Sequence, residues 1–451
     1  MDNERRVVII GAGFGGLSAA KTLARAGLPL ALIDKRNHHL FQPLLYQVAT
    51  AVLSPADIAV PIRGVLSPGR KGAVSILMEE IEGVDTARRV VRSVSGDETP
   101  YEALILATGS KYTYFGHEQD WAQYAPALKS LDDAVNIRRR VLLAFERAET
   151  TNDPALRERL MTFVVVGGGP TGVETAGALA ELAKATLARD FTNIDPRATR
   201  IVLAEADKTL LNAYPGHLGA YAERKLADLG VEVHTGAPVR SITAEGATAG
   251  EVFFPTSNIF WCAGVEATPV GKWLGVETER NGTVRVGPDL RVPGFEDIYV
   301  IGDAAAAFDK DGTRFPALAP VAKQQGKYVA EAIIRARNGR PAQGRFRYRD
   351  WGTMATIGRS AAVGKFGRFE VRGFFAWVLW GAVHIAYLVG FRNRLSVLIN
   401  WLWAWLTYAK GARLITGPDR AATSAPDSRK AIDEELGKTA HALGSGPAKT
   451  P

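Results

Sequence analysis

Two glycine clusters carry most of the chemistry available to this chain. Gly11, Gly13 and Gly16, in GAGFGG, follow a run of β-branched residues and open an Ala/Leu-rich helical pattern, and Gly167, Gly169 and Gly172, in GGGPTG, repeat the device. In each cluster the first glycine turns the chain out of a strand, the second lets backbone approach a pyrophosphate, and the third lets helix and strand pack closely. The N–H groups that open the helix then face the phosphates. Two such fingerprints imply two dinucleotides. An acid closes the next strand of both units: Asp34, 18 residues past Gly16, and Glu205, 33 residues past Gly172, each placed to accept from ribose hydroxyls. A carboxylate at Glu205 repels a 2′-phosphate, so NAD is expected over NADP. Glu174 is expected in the first helical turn, where the helix dipole and a nicotinamide contact account for it equally well.

The remaining reactive side chains narrow the chemistry. Cys262 is the single cysteine, which excludes an intramolecular disulfide, a dithiol pair and a cysteine-held cluster, so any redox chemistry must live on a bound cofactor. With no Lys, Arg or His adjoining it, Cys262 reads as an inert buried thiol on an apolar strand. His38 and His39 are adjacent, and neighbours in extended chain point apart with no carboxylate or cysteine beside them. A turn contacting a nucleotide is expected there, and no metal site anywhere. The segment YEALILATGS should be a strand ending at Thr108-Gly109, where α/β folds bind ligands. Asp303, after Gly302 at another strand end, is placed to meet the phosphate or ribitol of an extended cofactor. Phe41 to Gln47 could equally cap a flat ring system or close the core.

These residues need a scaffold, and 451 residues with 47% hydrophobic and 23% charged content suffice for two or three globular domains. Val7 to Asp34 is a complete βαβ unit, and residues 74 to 109 hold short apolar runs separated by turns. Ser130 to Glu149 has helical spacing, with a capping box from Ser130 and Asp133. A further helix is expected to begin near Gln324, Gln325 and Gly326, after Pro316 and Pro320. The fold class that follows is α/β: two Rossmann-like dinucleotide-binding domains and a C-terminal amphipathic helical region that anchors to a membrane. The expected division is 1–115 with 286–345 for the first domain, 116–285 for the second, 346–416 for the C-terminal region, and a disordered tail, rich in Ala, Ser, Pro and charge, at 417–451.

A net charge of +8 suits nucleic acid or an anionic membrane, and the location of the basic residues decides between them. Arg368, Arg372, Arg392, Arg394, Lys410 and Arg413 surround two stretches, 373–391 and 395–409, that carry no charge apart from His384, so the excess is membrane-directed and no nucleic-acid partner is expected. The first stretch barely reaches the roughly 20 residues needed to span a bilayer and the second does not. Five of the nine tryptophans, at 377, 380, 401, 403 and 405, lie here, and Trp prefers the membrane interface. On a helix Arg392, Ser396, Asn400, Thr407 and Lys410 form one stripe, so the helix is expected to lie in the membrane plane with Arg and Lys at the headgroups. A core hairpin or dimer interface, and a spanning hairpin, are the alternatives. The N-terminus, MDNERR, leaves no room for a signal peptide, and the bulk of the protein should face the cytoplasm.

From Val7 to about Gly417 the chain resembles the type II NADH:quinone oxidoreductases, the single-subunit respiratory NADH dehydrogenases that pump no protons. The resemblance is carried by GAGFGG (11–16), GGGPTGVETAG (167–177), WCAGV (261–265), IGDAA (301–305), AKQQG (322–326), MATIGRSAAVG (354–364) and the Trp-rich ending. It implies FAD held by Gly11, Gly13, Phe14, Gly15, Gly16, Asp34, Lys35, Thr108, Gly109, Gly302 and Asp303. It implies NADH on Gly167, Gly169, Pro170, Thr171, Gly172, Glu174, Glu205, Ala263 and Gly264, and a membrane quinone beside APVAKQQG. Relatives often carry glutamine where this chain has Pro320, which leaves Gln324 as the candidate quinone contact. Hydride would pass from NADH to the flavin, and two electrons from there to the quinone, with no catalytic acid–base side chain. The implied location is peripheral and monotopic, on the cytoplasmic face of the inner or plasma membrane, and is compatible with a homodimer. One cysteine excludes a thiol-disulfide or sulfide:quinone reductase. An FAD-dependent NADH reductase of ferredoxin or another soluble carrier, and a non-enzymatic nucleotide-sensing flavoprotein, are the rivals.

Overall fold

The β-branched run Val7–Ile10 is the central strand of a five-stranded parallel sheet, with Ala103–Leu106 and Ile298–Val300 on one side and Leu30–Asp34 and Val74–Met78 on the other. In this computed structural model, which describes residues 6–66, 73–407 and 411–416, that sheet is completed by a strand nearly three hundred positions from its first. Its inner strands are apolar and buried, as parallel strands covered on both faces must be. The strand before Thr108-Gly109 stops at Leu106, two residues earlier than expected. A second parallel sheet orders Val231–His234, Arg200–Ala204, Thr162–Val166 and Asn258–Trp261, and its last strand ends one residue before Cys262. Ser110–Tyr112 pairs antiparallel with Val265–Ala267 and ties the two βαβ systems together.

Both fingerprints fold alike. Gly11 and Gly167 take φ of +98° and +110°, and a Cβ on Gly16 or Gly172 would sit on the carbonyl oxygen of Gly11 or Gly167. The helices Phe14–Arg25 and Pro170–Glu181 start at the second glycine of each cluster. Because the second begins at Pro170, Glu174 falls in its second turn, and the first turn holds no acid. His38 and His39 lie in a short strand, His38–Leu40, rather than a turn, paired with Ala59–Pro61. The helix expected from Ser130 spans Leu131–Thr150, and Ser130 Oγ accepts from Asp133 N at 3.1 Å while Asp133 Oδ2 accepts from Ser130 N at 2.7 Å.

The helix expected near Gln324 starts five residues earlier, as Ala319–Arg337. Pro320 belongs to its first turn, where a missing N–H leaves nothing unpaired and the fixed φ suits helix entry. This helix packs on Phe14–Arg25 so closely that a Cβ on Gly326 would meet the carbonyl of Gly15.

A three-stranded antiparallel sheet, Thr353–Ile357, Ala361–Phe366 and Phe369–Gly373, leads into the helices Phe374–Tyr387 and Phe391–Thr407. No helix among the described residues is long and apolar enough to cross a membrane. Ala376, Trp380, Leu388 and Val397 are buried in the hydrophobic core, as the core-hairpin reading expects. The polar stripe of the last helix is divided: Arg392 and Thr407 are exposed, while Ser396 and Asn400 turn toward the body. Ser396 donates to Asp57 Oδ1 at 2.6 Å, Asn400 to Asp57 Oδ2 at 3.3 Å, and Asn393 to the carbonyls of Ala56 and Asp57 at 2.9 and 3.0 Å. Asn393, Ser396 and Asn400 mark the docking side, because buried polar groups need partners. The outward side carries Phe391, Leu395, Leu398, Ile399, Leu402, Trp403 and Leu406, joined by Phe374, Phe375, Val378 and Leu379 of the preceding helix. Lys410 and the tail from 417 lie outside the described residues.

Candidate functional site

A long cavity opens where the first sheet ends. Gly11, Gly13, Phe14, Gly15 and Asp34 line one end, and Thr108, Gly109, Gly302 and Asp303 line its middle. A Cβ on Gly13 would meet nothing within 4 Å, so its face of the cavity stays open to a pyrophosphate-sized group. Asp34 accepts from Ala12 N at 2.6 Å and Arg36 N at 2.8 Å, which fixes the carboxylate at the cavity edge. Gly302 is held from behind: Gln325, 1% exposed, accepts from its N–H at 2.7 Å. AKQQG is thus a supporting motif, with Gln325 holding the Gly302-Asp303 turn and Gly326 admitting the helix crossing. A dinucleotide with a flavin at its far end fits this donor set: an open glycine face, a fixed strand-end carboxylate and a second carboxylate, Asp303, further along.

Two residues of the first set stand elsewhere. Gly16 packs on Gly11, and Lys35 reaches along the surface to Glu80 at 3.1 Å. His39 is buried and its Nδ1 pairs with Ala12 O at 2.8 Å, while burial lowers its pKa, so it braces the fingerprint as a neutral ring. His38 does line the cavity.

Beside the cavity lies a cluster that the sequence did not announce. Ser110 donates to Asp303 Oδ2 at 2.7 Å, Lys129 Nζ stands 2.9 Å from Ser110 Oγ, and the lysine is 3.9 Å from Asp303 Oδ2. Burial pulls the Lys129 pKa down and the Asp303 carboxylate opposes it.

The second fingerprint repeats the support. Glu205 Oε2 accepts from Gly168 N, the counterpart of Asp34 with Ala12, and Oε1 accepts from Asp207 N at 2.7 Å. Cys262 and Ala263 pass beside Gly167, and Gly264, which takes φ +69°, packs against the Phe115 ring. Gly169, like Gly13, faces open space, and Pro170 starts the helix behind it. Cys262 is pushed up to about 12 by burial and is inert, as expected.

Thr171 belongs both to the first cavity and to a second one shared with Gln42, Pro43, Lys129, Tyr46 and Glu174. Tyr46 and Glu174 in turn form the wall of a third cavity, closed by Trp377, Trp380, Trp401 and Trp405. Four of the five C-terminal tryptophans line this cavity; Trp380 is 2% exposed, whereas Trp405, at 41%, also reaches the surface, as Trp403 does. Trp401 Nε1 donates to Gln47 Oε1 at 2.6 Å and Gln47 Nε2 donates to Tyr46 OH at 2.9 Å, so this end of the 41–47 segment is cavity wall. Burial pushes Glu174 up to about 8, only partly offset by the N–H of Thr356 at 3.3 Å. A carboxyl group thus stands protonated at neutral pH between two cavities. Gln324 is elsewhere: its carboxamide both donates to Arg349 O, at 2.9 Å, and accepts from Arg349 N, at 3.0 Å. Sequence reasoning missed Ser110, Lys129 and the tryptophan wall because these residues converge from segments with no common pattern.

Residues 5–326 match the family model described as pyridine nucleotide-disulphide oxidoreductase, and residues 351–408 match the NDH2 C-terminal domain. The chain is 43% identical to the type II NADH:quinone oxidoreductase Ndh of Mycobacterium tuberculosis, over 92% of this chain and 90% of that protein. It is 42% identical to NdhA of the same organism, with the same coverage. In fold it matches NDH2 of Plasmodium falciparum, solved in complex with NADH, at a TM-score of 0.83 and 19% identity over 92% of this chain and 100% of that one.

Proposed function

Since this chain belongs to the type II NADH:quinone oxidoreductases, within the pyridine nucleotide-disulphide oxidoreductase family, we propose a place for each reactant along its line of cavities. The enzyme oxidises NADH and reduces a quinone through a flavin. The flavin is FAD, its pyrophosphate on Gly13 and Gly15, its ribose at Asp34 and its ribitol at Asp303, in a domain made of 1–115 and 286–345. NADH lies on the second fingerprint, in 116–285, with Glu205 at its ribose. When bound, the flavin takes hydride from NADH and gives two electrons to the quinone. The protein orients both partners, excludes water and supplies a proton.

The shared walls carry this reading. Thr171 and Lys129 join the first cavity to the second, and Tyr46 and Glu174 join the second to the tryptophan-lined third, so an apolar ring system can approach the flavin from the C-terminal side. The quinone occupies the third cavity, in place of the expected contact at Gln324. Glu174, protonated near neutral pH, is the nearest store of a proton for a reduced quinone. A soluble protein carrier would make no use of an enclosed tryptophan-lined pocket. The exposed apolar side of helices 374–387 and 391–407 sits on the membrane that holds the quinone, on the cytoplasmic face where NADH is found.

Filling the third cavity tests the placement. Ala404 lines it from the last helix, and Ala404→Trp should raise the quinone KM at least tenfold and leave the rate of flavin reduction by NADH unchanged. An unchanged quinone KM would move the quinone elsewhere.

A further inference from the structure

We propose that Lys129 is a fixed cation of the flavin cavity, set there to stabilise the negative charge that hydride transfer leaves on the flavin; this rests on the flavin site proposed above. Hydride transfer from NADH delivers two electrons and one proton, so the ring system ends one unit more negative than it began. A cation held close by favours that product, and placing it in advance avoids reorganisation as the charge appears.

Three observations place Lys129 in this role. It lines both the cavity that begins at the first fingerprint and the neighbouring one that contains Thr171 and Glu174 of the NADH helix, so its ammonium lies where the two reactants meet. Its side chain is only 25% exposed, and in a poorly solvated site a charge acts over short distances with little screening. Its position is fixed by Ser110 at 2.9 Å, which is itself hydrogen-bonded to Asp303 at 2.7 Å. Asp303 at 3.9 Å favours the charged form against burial but is too far for a tight ion pair, so part of the ammonium's field remains directed at the cavity. Ser110 opens the strand Ser110–Tyr112 and Asp303 lies in the turn Gly302–Ala304 that follows Ile298–Val300, whereas Lys129 precedes the helix Leu131–Thr150, so the cation reaches the site from a third segment.

The test is the flavin midpoint potential of the purified holoenzyme, titrated without oxygen against a reference dye, for wild type, Lys129→Met, Lys129→Gln and Lys129→Arg. Both neutral variants should retain flavin and shift the equilibrium toward the oxidised form by at least tenfold, a fall of about 30 mV for a two-electron couple. Lys129→Arg should recover most of that shift. Flavin reduction by NADH should slow in the same order. Unchanged potentials in the flavin-bearing neutral variants would overturn the proposal. Loss of flavin from both neutral variants but not from the Arg variant would also overturn it, since Lys129 would then act in retention. The wild-type control separates the premises: a wild-type protein without NADH-reducible flavin refutes the site reading itself.

Discussion

Asp57 offers the sharpest perturbation of the quinone side, because its one carboxylate bonds two side chains of the last helix. It accepts from Ser396 Oγ at 2.6 Å and Asn400 Nδ2 at 3.3 Å, and also from Ser54 N at 2.8 Å in a capping box. Hydrogen bonds to a charged acceptor contribute about 1.5–3 kcal/mol each. Asp57→Ala should therefore weaken docking of the helix by about 3 kcal/mol from Ser396 and Asn400 alone, more than a hundredfold in the docked population. The same helix supplies Trp401, Ala404 and Trp405 to the third cavity, whereas neither fingerprint touches it. The variant should lose most quinone turnover, keep flavin, and keep NADH-driven reduction of ferricyanide. Asp57→Asn should be intermediate, since its remaining oxygen can still accept from Ser396. The ratio of quinone to ferricyanide turnover reads this directly. A folded Asp57→Ala protein with an unchanged ratio would refute the claim that this carboxylate keeps the cavity closed.

Other consequences follow from the same geometry. Glu174 binds a proton in the folded state up to about pH 8 that the unfolded chain releases in the ordinary carboxyl range, so this group's contribution to stability falls as pH rises through that window. Glu174→Gln should melt higher than wild type at pH 8 with the difference vanishing near pH 4, and it should slow quinone reduction; equal melting profiles would contradict the raised pKa. Gly13→Val should give folded protein without flavin, and Gly169→Val flavoprotein that NADH no longer reduces, because both Cβ positions open into free space. Gly16→Val should fail to fold, since its side chain meets the Gly11 carbonyl; soluble, flavin-bearing Gly16→Val would show that the packing is less tight. Phe375→Glu with Leu398→Glu and Trp403→Glu, all on the exposed apolar side, should release the protein from vesicles in low salt while ferricyanide activity persists. Deleting the two helices is a poorer test, because Trp380 and Val397 are core residues.

The βαβ units were legible because their signals are local: turn, close approach, strand-end acid and helix lie within a short span, and Gly11, Gly16 and Asp34 meet just as their types demand. Element edges were less legible. The start of helix 319–337 was hidden because Pro316 and Pro320 both read as breakers, although Pro320 is compatible with a first turn. The polar stripe of the last helix was found, but the inward turn of Ser396 and Asn400 within it was not, because Asp57 is more than three hundred residues away and carries no mark as their acceptor. The tryptophans could not be sorted for a related reason: at helical spacing, lining a cavity and facing lipid demand the same apolar residues, and only the packing shows that Trp380 turns inward while Trp403 stands outward.

The most direct measurement follows the visible flavin absorbance of the purified protein without oxygen, first on adding NADH and then on adding a soluble quinone analogue, in wild type and in Ala404→Trp. A flavin held at the first fingerprint, with NADH and quinone in separate cavities, predicts rapid bleaching by NADH in both proteins. It also predicts rapid recovery with quinone in wild type and slow recovery in the variant. Slowed bleaching together with normal recovery in Ala404→Trp would contradict the arrangement, because the third cavity would then serve NADH instead of the quinone.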